Sequence, residues 1–209
     1  MNPSSSTTLK IVVLAAGFSR RLGKPKALAR IHGISLLRRT VERLTVHTSS
    51  PIIVVVPPKS NRYRVELRRQ KALIVENTQR SSGLASSVRA GIRKAGSCAG
   101  ILLVAVDLPA LRHREIRRLI ERWRSFKRRV AARRIGAEGG GPLILPRRLH
   151  RAALQIQGDT GLRDFIRQLP RDQVLLVELP SAQTDVDTPD DLRHARRRIV
   201  PEHPPMMGL

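Results

Sequence analysis

The sequence predicts an α/β fold: a single domain on a mainly parallel, doubly wound sheet. Three observations carry this. Short apolar, β-branched runs alternate with amphipathic stretches at helical spacing, as strand–helix units on a parallel sheet require. Neither an internal repeat nor a long linker divides the 209 residues, a length that suits one α/β domain with a full core. Hydrophobic residues make up 41% and charged residues 27%, the balance of a globular chain rather than a disordered one.

The elements follow in chain order. Leu9–Leu14, Ile52–Val56, Leu73–Val75 and Ile101–Val106 read as buried strands, and Val130–Ala132, Leu143–Leu145 and Val174–Glu178 as shorter ones. Ser35–Val46, Asn61–Gln70, Ser82–Lys94 and Arg112–Phe126 carry apolar residues at helical spacing, and Asp159–Gln168 and Thr188–Ile199 read as two further helices. Thr188 is a cap for the last helix, with Pro189 in its first turn and Asp190 and Asp191 near its positive end. Gly136–Pro142, with three successive glycines, reads as a loop able to lie close to a ligand. The domain spans residues 9–199, between a flexible start (1–8) and a proline-rich, flexible tail (200–209).

Composition narrows the function. Aromatics are 2% of the chain, so the core is aliphatic and stacking platforms for single-stranded nucleic acid are scarce. The formal net charge is +24, and it comes mainly from arginine. That surplus reads as arginine-rich solvated faces, as a field gathering anionic substrates, or as nucleic-acid binding; the missing recognition motif disfavours the last. Cys98 is the single cysteine, which excludes an internal disulfide or a multi-cysteine metal site. The polar start lacks a signal-peptide pattern, and no apolar run approaches the roughly 20 residues that span a bilayer. A cytoplasmic chain without a membrane partner is expected.

Four motifs carry chemistry. Strand Leu9–Leu14 runs into Ala15-Ala16-Gly17-Phe18-Ser19-Arg20-Arg21-Leu22-Gly23-Lys24-Pro25-Lys26. A basic glycine loop at the carboxyl end of a strand suits a phosphate. Gly17 would turn the chain sharply and bring its backbone close to the ligand. Arg21 and Lys26 would neutralise phosphate oxygens. The loop is neither a Walker A sequence nor a Gly-x-Gly-x-x-Gly fingerprint. Second, Ile101–Val106 ends on Asp107-Leu108-Pro109, which puts a carboxylate at the same sheet edge; it reads as a Mg²⁺ ligand or as a helix cap. Third, Asp185 and Asp187, two apart in an extended segment, share a face and offer further carboxylates. Fourth, Ser81–Val88 opens a helix, so Ser82, Gly83 and Ser86 serve either a nucleotide or helix capping and close packing. Gly158-Asp159-Thr160-Gly161-Leu162-Arg163 is a second start of that kind.

In this order the motifs resemble the molybdenum cofactor cytidylyltransferase branch of the MobA-like NTP transferase superfamily, over Leu9 to about Ala195. The resemblance implies a Rossmann-like nucleotidyltransferase fold. It implies that Leu14, Ala15, Ala16 and Gly17 line the nucleotide, that Arg21 and Lys26 hold its phosphates, and that Asp107 binds Mg²⁺ with Asp185 and Asp187 beside it. Gly158, Asp159 and Arg163 would face the pterin-side acceptor. Ala16, where guanylyl relatives carry glycine, implies CTP. Where the branch often has Gly-His-Pro, this chain has Gly140-Gly141-Pro142. The partners implied are CTP, a molybdopterin-type cofactor, and a molybdoenzyme or its chaperone as recipient. The competing readings keep a nucleotidyltransferase but change the base or the acceptor, to a sugar phosphate or phospholactate, or make the chain a basic polyanion-binding protein.

Overall fold

The computed structural model describes residues 8–158 and 161–200. Its strands are β1 (Leu9–Leu14), β2 (Arg30–Ile31), β3 (Ile34–Ser35), β4 (Ile52–Val56), β5 (Ala72–Glu76), β6 (Gly100–Ala105), β7 (Val130–Ile135), β8 (Glu138–Pro146) and β9 (Val174–Val177). Its helices are α1 (Leu36–Thr45), α2 (Asn61–Leu67), α3 (Leu84–Ala95), α4 (His113–Ser125), α5 (Arg147–Ala153), α6 (Gly161–Arg167) and α7 (Pro189–Arg198).

Seven strands form one sheet in the order β5-β4-β1-β6-β8-β7-β9. The pairs β4–β5, β1–β4, β1–β6 and β7–β9 are parallel, whereas β8 runs antiparallel to both its neighbours. The expected mainly parallel sheet is therefore present, with one reversed strand. β1 is an interior strand, in register with Ile53 on one side and Leu103 on the other at Val12.

Alternation along β1 divides the core. Ile11 and Val13 face α1 and α4, in a cluster with Leu37, Val41, Leu44 and Trp123. Val12 and Leu14 face α3, in a cluster with Val88 and Ile92. This is the two-sided burial that a near-continuous apolar strand demands. A Cβ added at Gly91 would lie 2.5 Å from Val12 Cγ1, so only glycine lets α3 approach the sheet this closely. A third, small cluster joins Leu22, Ile31, Leu36, Val186 and Leu192. It ties the loop after β1 to the segment carrying Asp185 and Asp187, although 163 positions separate Leu22 from Asp185 in sequence.

The structure corrects three expectations. Gly136–Pro142 is not a loop: the turn is confined to Gly136 and Ala137, and Glu138–Pro146 is strand. Gly139 answers to packing, since a Cβ there would meet Ala132 at 3.0 Å and Leu176 at 3.3 Å. The helix expected to reach Gln70 stops at Leu67. The hairpin β2–β3 and helix α5 were not signalled, because elements of two and seven residues carry too little periodicity to read.

Candidate functional site

The carboxyl ends of β1 and β6 are adjacent in the sheet, so the loops that follow them share one edge. The loop after β1 is shaped by its backbone. Ser19 and Gly23 adopt positive φ (54° and 71°) around a 3₁₀ turn at Arg20–Leu22. Gly17 does not have positive φ, so the sharp turn expected there lies at Ser19 and Gly23 instead. A Cβ at Gly17 would meet nothing within 4 Å, leaving the expected close approach of a ligand as the role open to this glycine. Ser19 then accepts a hydrogen bond through Oγ from the Lys26 backbone N–H at 2.9 Å, which fixes where the lysine side chain begins.

Lys26 is the centre of the site. Its Nζ lies 2.5 Å from Asp187 Oδ1 and 3.4 Å from Asp107 Oδ2, and only 14% of its side chain is exposed. Arg21 Nη2 holds the other Asp187 oxygen at 2.6 Å. The acidic segment is locked in turn: the Val186 N–H donates to Asp107 O at 2.9 Å, and Val186 is buried between its two outward-facing aspartates. Thr188 caps α7 as expected, its Oγ1 accepting from the Asp191 N–H at 3.2 Å. The Asp191 carboxylate accepts from the N–H groups of Asp187 and Thr188 at 3.0 and 2.8 Å. Those hydrogen bonds, led by that from Asp187, lower its pKa.

The Lys26–Asp107 pair links the linings of two cavities. One, of about 260 Å³, is lined by Ser19, Arg21, Lys26, Ser81, Gly83 and Asp187, among others. The other, of about 320 Å³, is lined by Asp107, Asp185, Arg133 and Arg163 over an aliphatic wall that includes Leu14 and Leu143. Burial, and after it the charge of Asp107, raises the pKa of Asp185, and Arg133 opposes that shift. Arg133 Nη1 lies 3.4 Å from Asp185 Oδ1 and also donates to the Ala182 carbonyl. A bulge between Ala132 and Arg133 interrupts the β7 register where this side chain departs.

The expected site residues divide accordingly. Arg21, Lys26 and Asp187 come together, and Asp107 joins them to Asp185 and Arg163. Gly83 lines the Lys26 cavity. Ala15 and Ala16 are buried, with 3% and 1% exposure; their methyl groups belong to the core, so they face a ligand through backbone only. Ser86 is buried too, its hydroxyl donating to Gly83 O at 2.7 Å and accepting from Asn77 Nδ2 at 2.8 Å. It shapes the loop from beneath. Ser82 and Gly158 line a different cavity, with Arg89; Gly158 O accepts from the Ala85 N–H at 3.0 Å and braces the start of α3. Asp159 lies outside the described residues.

Two residues escaped the sequence reading. Arg133 follows an apolar run at a strand's carboxyl end, a position that signals a ligand edge. Arg80 stacks 3.9 Å from the Phe18 ring centroid and lines the Lys26 cavity; an exposed phenylalanine in so aromatic-poor a chain was the available cue.

For a divalent cation, the donors present are hard carboxylate oxygens. Among the described residues no three His, Cys, Asp or Glu side chains form a ready-made metal centre. The mutual repulsion of Asp107 and Asp185 fits a site that completes its shell with phosphate oxygens and water, as Mg²⁺ sites commonly do. Among the described residues, no helix is long and apolar enough to cross a membrane.

Known proteins resemble this chain in sequence and in fold. The chain is 31% identical over 191 residues to nicotine blue oxidoreductase of Paenarthrobacter nicotinovorans, covering 87% of this chain and 93% of that one. It is 28% identical over 190 residues to a probable molybdenum cofactor guanylyltransferase of Rhodopirellula baltica, covering 87% and 88%. Among solved structures, Rv0371c of Mycobacterium tuberculosis superposes with a TM-score of 0.76 at 25% identity, covering 92% of this chain and 98% of that one. The family model for the MobA-like NTP transferase domain matches residues 11–174, and the chain belongs to that family, as a nucleotidyltransferase of its superfamily.

Proposed function

We propose that this protein transfers a cytidylyl group from CTP to the terminal phosphate of a molybdopterin-type cofactor, releasing pyrophosphate, with Mg²⁺ as its metal. The observation that carries the reading is Lys26, held between Asp107 and Asp187 and lining one cavity while Asp107 lines another. One cavity suits a triphosphate, the other a phosphorylated acceptor.

The chemistry follows from charge. An acceptor phosphate oxygen attacks the α-phosphorus, the bond from that phosphorus to the bridging oxygen breaks, and pyrophosphate leaves with the electron pair. A phosphomonoester is already anionic near neutral pH, its second pKa being about 6, so no general base is needed. The work left to the chain is to bring two anions together. Lys26 and Arg21, now paired with carboxylates, would exchange those partners for triphosphate oxygens and offset the charge that develops on them. Asp107 and Asp185 would hold Mg²⁺, which when bound supplies charge neutralisation at the reacting phosphate.

The acceptor and the base rest on the resemblance and on relatives named for molybdenum cofactor chemistry. CTP is favoured by Ala16, GTP by the guanylyltransferase relatives. The likeness to an oxidoreductase finds no dinucleotide fingerprint in the loop after β1. Thermal stabilisation by each of the four NTPs with Mg²⁺, followed by mass spectrometry of products from phosphorylated acceptors, tests the reading. Selective stabilisation by CTP and a cytidylylated acceptor are expected; preference for GTP would overturn the base, and an unchanged acceptor panel the activity.

A further inference from the structure

The acceptor side of the site does not end at the 320 Å³ cavity beside Asp107 and Asp185. Arg163 and Ile166 line that cavity and also a neighbouring one of about 530 Å³. The second cavity lies between α6 and the β7–β9 end of the sheet. Its wall includes Ile166, Leu169, Val174 and Leu176, and its cations are Arg134, Arg163, Arg167 and Arg171.

These four arginines are not equivalent. Arg134 pairs with Glu178 at 2.6 Å, and Arg167 with Glu138 at 3.0 Å and Asp164 at 3.5 Å. For Arg163 and Arg171, no ion-pair partner occurs among the described residues. Two uncompensated guanidiniums beside one concave apolar surface repel each other, and an anion placed between them gains from both. The apolar wall makes that gain larger than at an open surface, because it displaces water from one side of the charges. Among the described residues neither cavity is lined by an aromatic side chain, so charge and aliphatic contact, rather than stacking, hold a ligand here.

We propose that the second cavity is a subsite for a second anionic group of the acceptor, carried beyond its reacting phosphate, with Arg163 and Arg171 as the residues that bind it. The proposal rests on the reading that the reacting phosphate sits by Asp107 and Asp185. It extends that reading from a phosphomonoester to a doubly anionic molecule that bridges both cavities past Arg163. Arg163 then has two roles, steering the phosphate from one side and the distal anion from the other.

A molecular ruler tests this. ω-Carboxyalkyl phosphates of increasing chain length are compared with their ω-carboxamides by calorimetry, in the full-length protein with Mg²⁺ and a non-hydrolysable NTP analogue. The carboxylate is expected to bind about tenfold tighter than the amide at one intermediate length. Arg171→Gln is expected to erase that difference without weakening the amide, and Arg163→Gln to weaken both; Arg167→Gln, whose arginine is already paired, keeps the difference. In turnover the same gain should appear in the acceptor KM and not in kcat. Equal affinity of acid and amide at every length, or a gain that survives Arg171→Gln, overturns the subsite. The two readings fail separately: a carboxylate gain without any nucleotidyl product would leave the subsite and remove the transfer, and product from simple phosphates without a carboxylate gain would do the reverse.

Discussion

The two ends of the sheet solve different problems. In the β5-β4-β1-β6 end, every strand is parallel and the two cations expected to meet phosphate are already paired: Lys26 and Arg21 share Asp187, and Lys26 also reaches Asp107. In the β8-β7-β9 end one strand is reversed, and Arg163 and Arg171 form no ion pair among the described residues. Matched charges around the first loop keep a lysine desolvated and aimed without a ligand. Unmatched charges at the other end leave an attraction for whatever anion the acceptor brings. On the proposed function, the nucleotide side is prearranged and the acceptor side lacks its counter-charge.

The largest effect that would break this contrast is at the lysine. Lys26→Met should lower turnover by on the order of 10²–10³-fold, the scale of losing one preorganised donor to a developing anion, while the melting temperature stays close to wild type. A loss of folding instead would make Lys26 part of the scaffold. Next is packing in the parallel end. Gly91→Ala forces a methyl group into Val12 and should cost about 1–3 kcal/mol in denaturant unfolding. Gly17→Ala, whose Cβ meets nothing within 4 Å, should leave stability unchanged and weaken NTP affinity, which isothermal titration reads directly.

Smaller is a pH effect away from the site. Burial, with help from His113 and Arg117, lowers the pKa of His47 from 6.5 to about 4. Between those values the unfolded chain binds the proton and the folded one does not, so stability is lost as pH falls from about 6.5 towards 4. His47 is only partly buried, and solvent screening reduces the full shift to about 1–2 kcal/mol. A His47→Gln variant should flatten that part of the melting-temperature profile. The smallest is Arg21→Gln. This side chain is 71% exposed, so turnover should drop less than about tenfold and the loss should shrink at high salt. An effect as large as that of Lys26→Met would put Arg21 on a par with the lysine and end the distinction between a held centre and an open rim.

The same division explains what the sequence made legible. β1 and β4 begin and end where their apolar runs do, because both faces of a central parallel strand are buried and every residue signals it. The loop after β1, Asp107 and the Asp185–Asp187 pair were legible because each ends a strand or precedes a helix at one edge. Glu138–Pro146 was not: Gly139 and Gly140 pack where side chains would collide, and in sequence close packing and a turn look alike. Ser82, read with the nucleotide loop, lines another cavity with Gly158, since a 3₁₀ turn at Arg80–Ser82 re-aims it. Arg133 was hidden by its neighbours, and its partner Asp185 lies 52 positions later; only the folded chain joins them.

The central claim is that Lys26 and Asp107 serve one transfer at the α-phosphorus of a nucleoside triphosphate. It is tested most directly by following CTP labelled at the α-phosphate in the presence of Mg²⁺ and a phosphorylated acceptor. Label moving onto the acceptor, with unlabelled pyrophosphate released and both lost in Lys26→Met, is the predicted result. Label left in CDP with free phosphate, or unchanged CTP across the acceptor panel, would contradict it.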